Sequence, residues 1–386
     1  MLPNPFQKPL PEFKDTDPLK NREIVRELLG EGGVHKYRKI LGDISDPHPN
    51  RQKEVTKEDL IAMAAEARSQ IDALSRDASK PIIEKIIEKE YTFQINSLKK
   101  IGFLENEKKR FSFLRKNKLS DLGFTAIDEK FYKIPSQESI VTYFSSIPDI
   151  KRKTDQGFTR LLIVPFGMPL DTLTEKTQTF FEERRKAGRI FAPNGSKVTI
   201  PRAANVIYAE DYFDADRKGS LVYYPQLSSG AFIGSTKAQV LSGASDQLPF
   251  PGYHVLLIHE NQVIPEAGKG VTLGGRLDLE AGMSAEDYLE ILTTDSVYAQ
   301  EHGLTPEDWL TLFATNLNQT NIMLGLSSGW SANGMIHLLI AARLTSEFDK
   351  IPTANIVLGN LDASAYLSVA YPFHSLSSLG IKTAVG

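Results

Sequence analysis

Cysteine is absent from this 386-residue chain, which removes disulfides, thiolate nucleophiles and thiolate metal sites together. No apolar run approaches the roughly 20 residues that a membrane-spanning helix needs. The opening MLPNPFQKPLPEF has no apolar core of the signal-peptide kind. The expected compartment is therefore the cytoplasm, with no membrane span. An excess of one charge sign is also missing: 45 basic and 48 acidic residues leave a formal charge of −3. That balance offers no basic field for nucleic acid and no polybasic membrane patch. H-E-x-x-H does not occur, so the signature of a zinc protease is lacking too, and the single G-x-S-x-G match, Gly325-Leu326-Ser327-Ser328-Gly329, is not read as the nucleophile elbow of a serine hydrolase.

What is present suffices for one large core or two to three ordinary ones, since 41% of residues are hydrophobic. Residues 1–50 are rich in Pro, Gly and charge and read as an irregular lead-in with a short helix near Asn21–Leu29. Thr56 followed by Asp59 resembles a capping box before DLIAMAAEARSQIDAL. From Pro81 onward, Ile83, Ile87, Tyr91, Ile95, Leu98 and Ile101 fall at three- and four-residue steps, one apolar stripe on a long helix. Joined by a turn near Ser75–Ser79, these segments predict a helical domain over 51–150, most simply a packing or spacer domain. The polar stretch around 120–155 predicts its boundary.

The second domain, 151–386, opens with the apolar run Leu161–Val164, a buried strand, broken by Pro165, Gly167 and Pro169 before helical periodicity over Leu170–Lys186. Strands are expected near Lys197, Asn205, Ser220 and Tyr253. Helices are expected from Ser284 and from Thr305-Pro306-Glu307-Asp308, where an N-cap Thr, a first-turn Pro and two acids suit a helix start. The latter should turn Trp309, Leu310, Phe313 and Leu317 inward. After Gly329 the chain alternates in short β-like stretches. The fold class is α+β, with a mixed or antiparallel sheet and two flanking helices in the second domain.

Three segments invite chemistry and have plainer readings. GKGVTLGGR, Gly268–Arg276, offers backbone amides and two cations to a phosphate, but lacks Walker spacing and reads first as a surface loop. DYFDADRKG gathers Asp211, Asp214 and Asp216 as part of a calcium loop would, yet position twelve from Asp214 is Pro225, so a solvated turn is the simpler account. His254 and His259 stand five apart on one strand and face opposite ways, while His337 in its apolar stretch reads as a core histidine. A hydrolase built on Asp211, Asp214 and His259 has nothing further to support it. No catalytic residue, metal or cofactor is expected, and the chain is read as a non-enzyme.

The last stretch is the informative one. From Ile351 to Ile381 there is no Lys, Glu, Gln, Met or Trp, although these types make up 75 of the 386 residues. Independent draws from the chain's own composition would give such a run roughly once in a thousand tries. The residue types present are among those reached from AAC or AAT by changing one or both adenines. The run Ile351-Pro352-x-Ala354, then Ala365-Tyr366-Leu367, Pro372 and the close Leu379-Gly380-Ile381-Lys382-Thr383-Ala384-Val385 resembles the C-terminus of variable proteins of diversity-generating retroelements. RLLIVPFG and GLTPEDWL resemble the same family more loosely. The family closes on Leu-Gly-x-Arg-Ser-Ala-Val, and Lys382 stands here in place of its Arg.

That resemblance implies a C-type lectin fold of the formylglycine-generating-enzyme type, with an error-prone reverse transcriptase varying adenines in the C-terminal repeat. The enzymatic branch of the fold uses cysteines of its own for copper, and this chain has none. The implied function is non-catalytic binding of a protein or glycan ligand that differs from copy to copy. Ala365, Leu367, Ala384 and Val385 read as framework. The displayed set is expected to be Thr353, Asn355, Val357, Leu358, Asn360, Asp362, Val369, Tyr371, Phe373, His374 and Ser375, the aromatics acting as anchors and the polar residues adapting their hydrogen bonds. Two alternatives stay open: 351–386 as terminal core strands, and a structural or assembly protein of a virion or cell surface with no diversified site.

Overall fold

A computed structural model of the chain places the apolar stripe from Ile83 to Ile101 along one helix, α1 (residues 80–101), and buries all of Ile83, Ile87, Tyr91, Ile95, Leu98 and Ile101. The structure describes residues 80–107, 121–191, 195, 197, 207–209, 214–228, 231–243, 248–324, 336–345, 350–358, 363–370, 379–380 and 383–386. All belong to the unit Asp77–Gly386. The lead-in 1–50, the short helix near 21–29, the helix from Thr56 and the turn near 75–79 lie outside the described residues.

The boundary expected between 120 and 155 is not a seam. That stretch carries β2 (Leu122–Thr125) and β3 (Phe131–Lys133), which with β1 (Glu105–Asn106) form an antiparallel sheet in the order β1-β2-β3. It continues into α2 (Gln137–Ser146), capped by the Ser136 hydroxyl accepting from the Ser139 amide, and α3 (Ile150–Asp155). Leu122, Phe124, Ile140, Phe144 and Ile150 enter the same hydrophobic core as the α1 stripe. The physical reason is periodicity: polar residues dominate by number there, while the apolar ones recur at the spacing that buries one face.

Strands then follow as β4 (Phe158–Val164), β5 (Ile207–Ala209), β6 (Leu221–Ser228), β7 (Ala231–Thr236), β8 (His254–His259), β9 (Thr272–Leu273) and β10 (Arg276–Leu277). The later ones are β11 (Glu301–Gly303), β12 (Ile336–Leu338), β13 (Ala342–Leu344), β14 (Ile351–Leu358), β15 (Ala363–Ala370), β16 (Leu379–Gly380) and β17 (Thr383–Val385). Helices α4 (Leu170–Lys186), α5 (Ala215–Lys218), α6 (Lys237–Leu241), α7 (Ala285–Thr294) and α8 (Pro306–Thr320) are interspersed.

One four-stranded sheet runs β11-β17-β8-β4, antiparallel throughout. A five-stranded sheet runs β16-β12-β14-β15-β5 and is mixed, with β12–β16 and β15–β5 parallel. A third holds β13-β6-β7. Mixed helix and sheet make the chain α+β.

Leu161, Leu162, Ile163 and Val164 of β4 have no exposed surface, as a strand covered on both faces requires. α8 packs on β4 and α4 packs on α8, with Trp309 and Phe313 stacked at 5.3 Å and Phe181 stacked on Phe313 at 6.0 Å. α8 starts with a full capping box, Thr305 and Asp308 exchanging hydrogen bonds, and Pro306 in its first turn. α4 carries Asp171 in its first turn and Arg184, Arg185 and Lys186 in its last, matching the helix dipole at both ends. A smaller second core gathers Leu279, Tyr288, Tyr298, Leu338, Ile340 and Ile351.

Candidate functional site: the C-terminal hairpin and its frame

Residues 351–370 form a hairpin. β14 and β15 pair without a register break from Ile351↔Ala370 to Leu358↔Ala363. Alternation along the strands puts Thr353, Asn355 and Val357 on one side of the sheet with Ser368, Tyr366 and Ser364. Pro352, Ala354, Ile356 and Leu358 fall on the other side with Val369, Leu367, Ala365 and Ala363.

The base of the hairpin is buried on both sides. Ile351 enters the smaller core and Ala354 the main core, each with no exposed surface. Thr353, expected among the displayed side chains, is only 2% exposed. It pairs with Leu338 of β12, a member of the smaller core, so that core covers its side of the sheet. Leu358 and Val369 fall by register on the same side as Ala365 and Leu367, the positions read as framework. Asn355 and Val357 keep the opposite side. Asn360 and Asp362, between the strands, and Tyr371, Phe373, His374 and Ser375, after β15, lie outside the described residues.

The frame closes at β17, which inserts between β8 and β11. Ala384 and Val385 have no exposed surface. On one side of the strand sits a buried ion network, with Lys153 and Glu301 at its centre fully enclosed. Glu301 accepts from Arg276 Nε and Nη2 at 2.8 Å each, from Lys153 Nζ at 2.8 Å and from the Thr383 hydroxyl at 2.6 Å. Arg276 also reaches Asp278 at 3.0 Å and Thr383 Oγ1 at 3.1 Å. Its ring neighbours are Phe158 and Tyr298, each 5.2 Å from the guanidinium carbon. Burial alone would lower the Arg276 pKa, but the hydrogen bonds and charge of Glu301 outweigh it and raise it. For Lys153 burial wins over Glu301, and its pKa is lowered.

On the other side of β17 lie His254, His302 and Asp308. His254 Nδ1 stands 2.9 Å from Asp308 Oδ1. Tyr224 brings its hydroxyl to 3.3 Å from the same nitrogen. It does so from a left-handed backbone, φ 52°, beside a register shift in the β6–β7 pairing. A non-glycine residue there costs roughly 1–2 kcal/mol, and a bulge of this kind re-aims a side chain. Burial would push the Asp308 carboxyl up. His254 and the Thr305 amide overcome that and hold its pKa below the usual carboxylate value.

A second enclosed cluster joins α5, α6 and α8. Lys237 Nζ lies 2.6 Å from Asp216, 2.8 Å from Glu307 and 2.9 Å from the Met168 carbonyl, with both ion pairs wholly buried. Tyr223 donates to Glu307 at 2.7 Å. Burial would depress the Lys237 pKa, and Glu307 and Asp216 together reverse the sign and raise it.

The remaining sequence motifs are absorbed structurally. Gly268 and Gly270 amides both donate to the Glu280 carboxylate at 2.7 Å, so the glycine-rich loop cradles an anion supplied by its own chain. Those bonds hold the Glu280 pKa down. Asp216 belongs to the Lys237 cluster, Asp214 pairs with Lys218 at 2.7 Å on the surface, and Asp211 lies outside the described residues. His259 Nδ1 accepts from the Asn261 amide at 3.0 Å. His337 is buried, its ring 6.2 Å from that of Trp309. Among the described residues no group of three or more His, Asp or Glu could hold a metal ion, and no helix is long and apolar enough to cross a membrane.

Sequence reasoning missed the buried charges. Asp216, Arg276, Glu307 and Asp308 stood out for other reasons, but not their pairing, because the partners lie far along the chain: Lys237 is 21 positions from Asp216, Glu301 is 25 from Arg276 and His254 is 54 from Asp308. Compared with protein-family models, curated proteins and solved structures, the chain matches none.

Proposed function

We propose that the chain is a non-catalytic ligand-binding protein, a C-type lectin-like scaffold that presents a retroelement-diversified surface within residues 355–381. One observation carries the reading: the segment of restricted alphabet is bounded at both ends by fixed structure. Ile351, Thr353 and Ala354 anchor its start in two cores, and Thr383–Val385 anchor its end between two strands. A surface that changes from copy to copy needs such a frame, because variation at buried positions leaves cavities or overpacks. Asn355 and Val357 on one side of the hairpin, with Asn360, Asp362, Tyr371, Phe373, His374 and Ser375 beyond the paired strands, make up the proposed display. The ligand is a protein or glycan that varies between copies.

The test is population sequencing of the DNA encoding residues 345–386 and its flanks. The expected result is a near-copy repeat with adenines wherever the gene differs, a reverse-transcriptase gene beside it, and constant codons for Ile351, Thr353, Ala354 and Thr383–Val385. An invariant 3′ end without a repeat refutes the reading. For any protein or glycan found to bind saturably, Tyr371→Ala and Phe373→Ala should each weaken binding by more than about 2 kcal/mol, as aromatic anchors do. Calorimetry should show an unchanged melting temperature in both variants. Binding that survives both changes refutes the anchor assignment.

A further inference from the structure

The Lys237 cluster sets two carboxylates against one ammonium, with all three side chains fully buried. Lys237 opens α6, Asp216 lies in α5 and Glu307 in the first turn of α8. The ammonium makes three contacts: Asp216 Oδ2 at 2.6 Å, Glu307 Oε1 at 2.8 Å and the Met168 carbonyl at 2.9 Å. Phe166 and Tyr223 wall the nitrogen off, their ring centroids 5.6 and 5.9 Å away. Nζ therefore touches an oxygen bonded to the Asp216 carboxyl carbon, in a setting that excludes solvent.

Both acids are equipped for more than an ion pair. Asp216 Oδ1 accepts from the Arg217 amide and Oδ2 from the Leu170 amide, each at 2.9 Å. Backbone amides so placed stabilise negative charge that develops on a carboxyl under attack. Glu307 Oε1 accepts from the Tyr223 hydroxyl at 2.7 Å, while Oε2 is buried with no hydrogen-bond partner among the described residues. That oxygen is open to a proton. The Lys153–Glu301 pair, equally buried at 2.8 Å, is built differently. There Arg276, Lys153 and Thr383 occupy both oxygens of Glu301 and fix it as an anion.

We propose that Lys237 and Asp216 condense into an isopeptide bond in the folded chain, with Glu307 carrying protons between them. Glu307 takes a proton from the ammonium and hands it to Asp216 Oδ2, leaving a neutral amine against a carboxylic acid. The amine lone pair attacks Cγ and forms the Nζ–Cγ bond. Glu307 then moves a second proton from Nζ to Oδ2, and the Cγ–Oδ2 bond breaks with its electron pair to release one water. The three ammonium protons end as one on the amide and two on the water, and Glu307 is again a carboxylate. Against burial, Glu307 and Asp216 raise the Lys237 pKa, so the proton moves within the cluster and not to solvent. Contact between the partners supplies proximity, and the product replaces two buried charges by a neutral amide. The bond would close a loop around β6 and β7. Until it forms, Lys237 is the cation of the buried pair. This holds whatever the chain binds.

The test is intact mass spectrometry of the full chain, kept folded at neutral pH and then denatured. The expected mass is below that of the sequence by one water, with trypsin leaving Lys237 uncut and joined to the peptide that ends at Arg217. Chain recovered from inclusion bodies and held in urea should keep its full mass. Glu307→Gln should slow the loss by at least about a hundredfold. Full mass after prolonged incubation of the folded chain overturns the bond. So does an equal loss in urea, or a loss that maps to other residues such as Lys153 and Glu301. Loss at the wild-type rate in a folded Glu307→Gln chain overturns the proton carrier. If that variant fails to fold, the wild-type mass and peptide map decide.

Discussion

Lys237→Met is expected to lower the unfolding free energy by about 3–5 kcal/mol, read from urea denaturation. The wild-type ammonium has no exposed surface and lies 2.6 Å from Asp216 and 2.8 Å from Glu307. Methionine fills a similar volume and leaves two carboxylates in the core without a cation. Asp216 keeps the Leu170 and Arg217 amides, and Glu307 keeps the Tyr223 hydroxyl. Those neutral donors cannot offset the lost charge. The folded pKa of Lys237 is raised, so its contribution is intact below the ordinary lysine value near 10.4 and disappears only as pH rises beyond it. Neutralising the acids together, Lys237→Met with Asp216→Asn and Glu307→Gln, should recover much of the loss, because the penalty is unpaired charge. By contrast Lys218→Ala removes a surface pair whose side chains are 68% and 51% exposed, and should change stability by less than about 1 kcal/mol. A Lys237→Met cost no larger than that would refute the account.

Glu301→Gln is expected to have a comparable effect, about 3–5 kcal/mol, with a different signature. Glu301 takes two bonds from Arg276, one from Lys153 and one from Thr383. An amide presents one carbonyl oxygen to that crowd and turns an N–H toward donors. Arg276 is left with Asp278, and Lys153 with the Val297 carbonyl at 2.9 Å. Thr383 belongs to β17, so the damage should concentrate there. Exchange protection at residues 383–385 should fall before the global transition, whereas Lys237→Met should lower protection across the core. Uniform loss in both variants would mean that the network does not clamp the last strand in particular.

The local elements were legible because their causes are local. The stripe from Ile83 to Ile101, the run Leu161–Val164, the helix over Leu170–Lys186 and the start at Thr305 each rest on residues within a few positions of one another. Trp309, Leu310, Phe313 and Leu317 are buried with no exposed surface, on the side the spacing assigns. The supposed boundary near 150 was misread for the same reason. Local polarity there says nothing of whether the intervening apolar residues meet α1 and β4.

The candidate site divides along the same line. The restricted alphabet of 351–381 belongs to the sequence alone, whereas the pairing of 351–370 as a hairpin comes from the structure. Neighbours far along the chain bury Thr353, through Leu338 and the smaller core, and the pairing register sets Leu358 and Val369 on the side of Ala365 and Leu367.

By itself, then, the sequence determined the absence of thiol chemistry, the α+β class, the positions of α1, β4, α4, α7 and α8 and the unusual composition of its last segment, all properties of single residues or short-range periodicity. Tertiary structure alone decided which charges are paired. Lys153 finds Glu301 across 148 positions, Tyr223 finds Glu307 across 84 and Lys237 finds Asp216 across 21. No local pattern encodes such partners, because a buried charge is tolerated only where the fold brings its counter-charge within hydrogen-bonding distance.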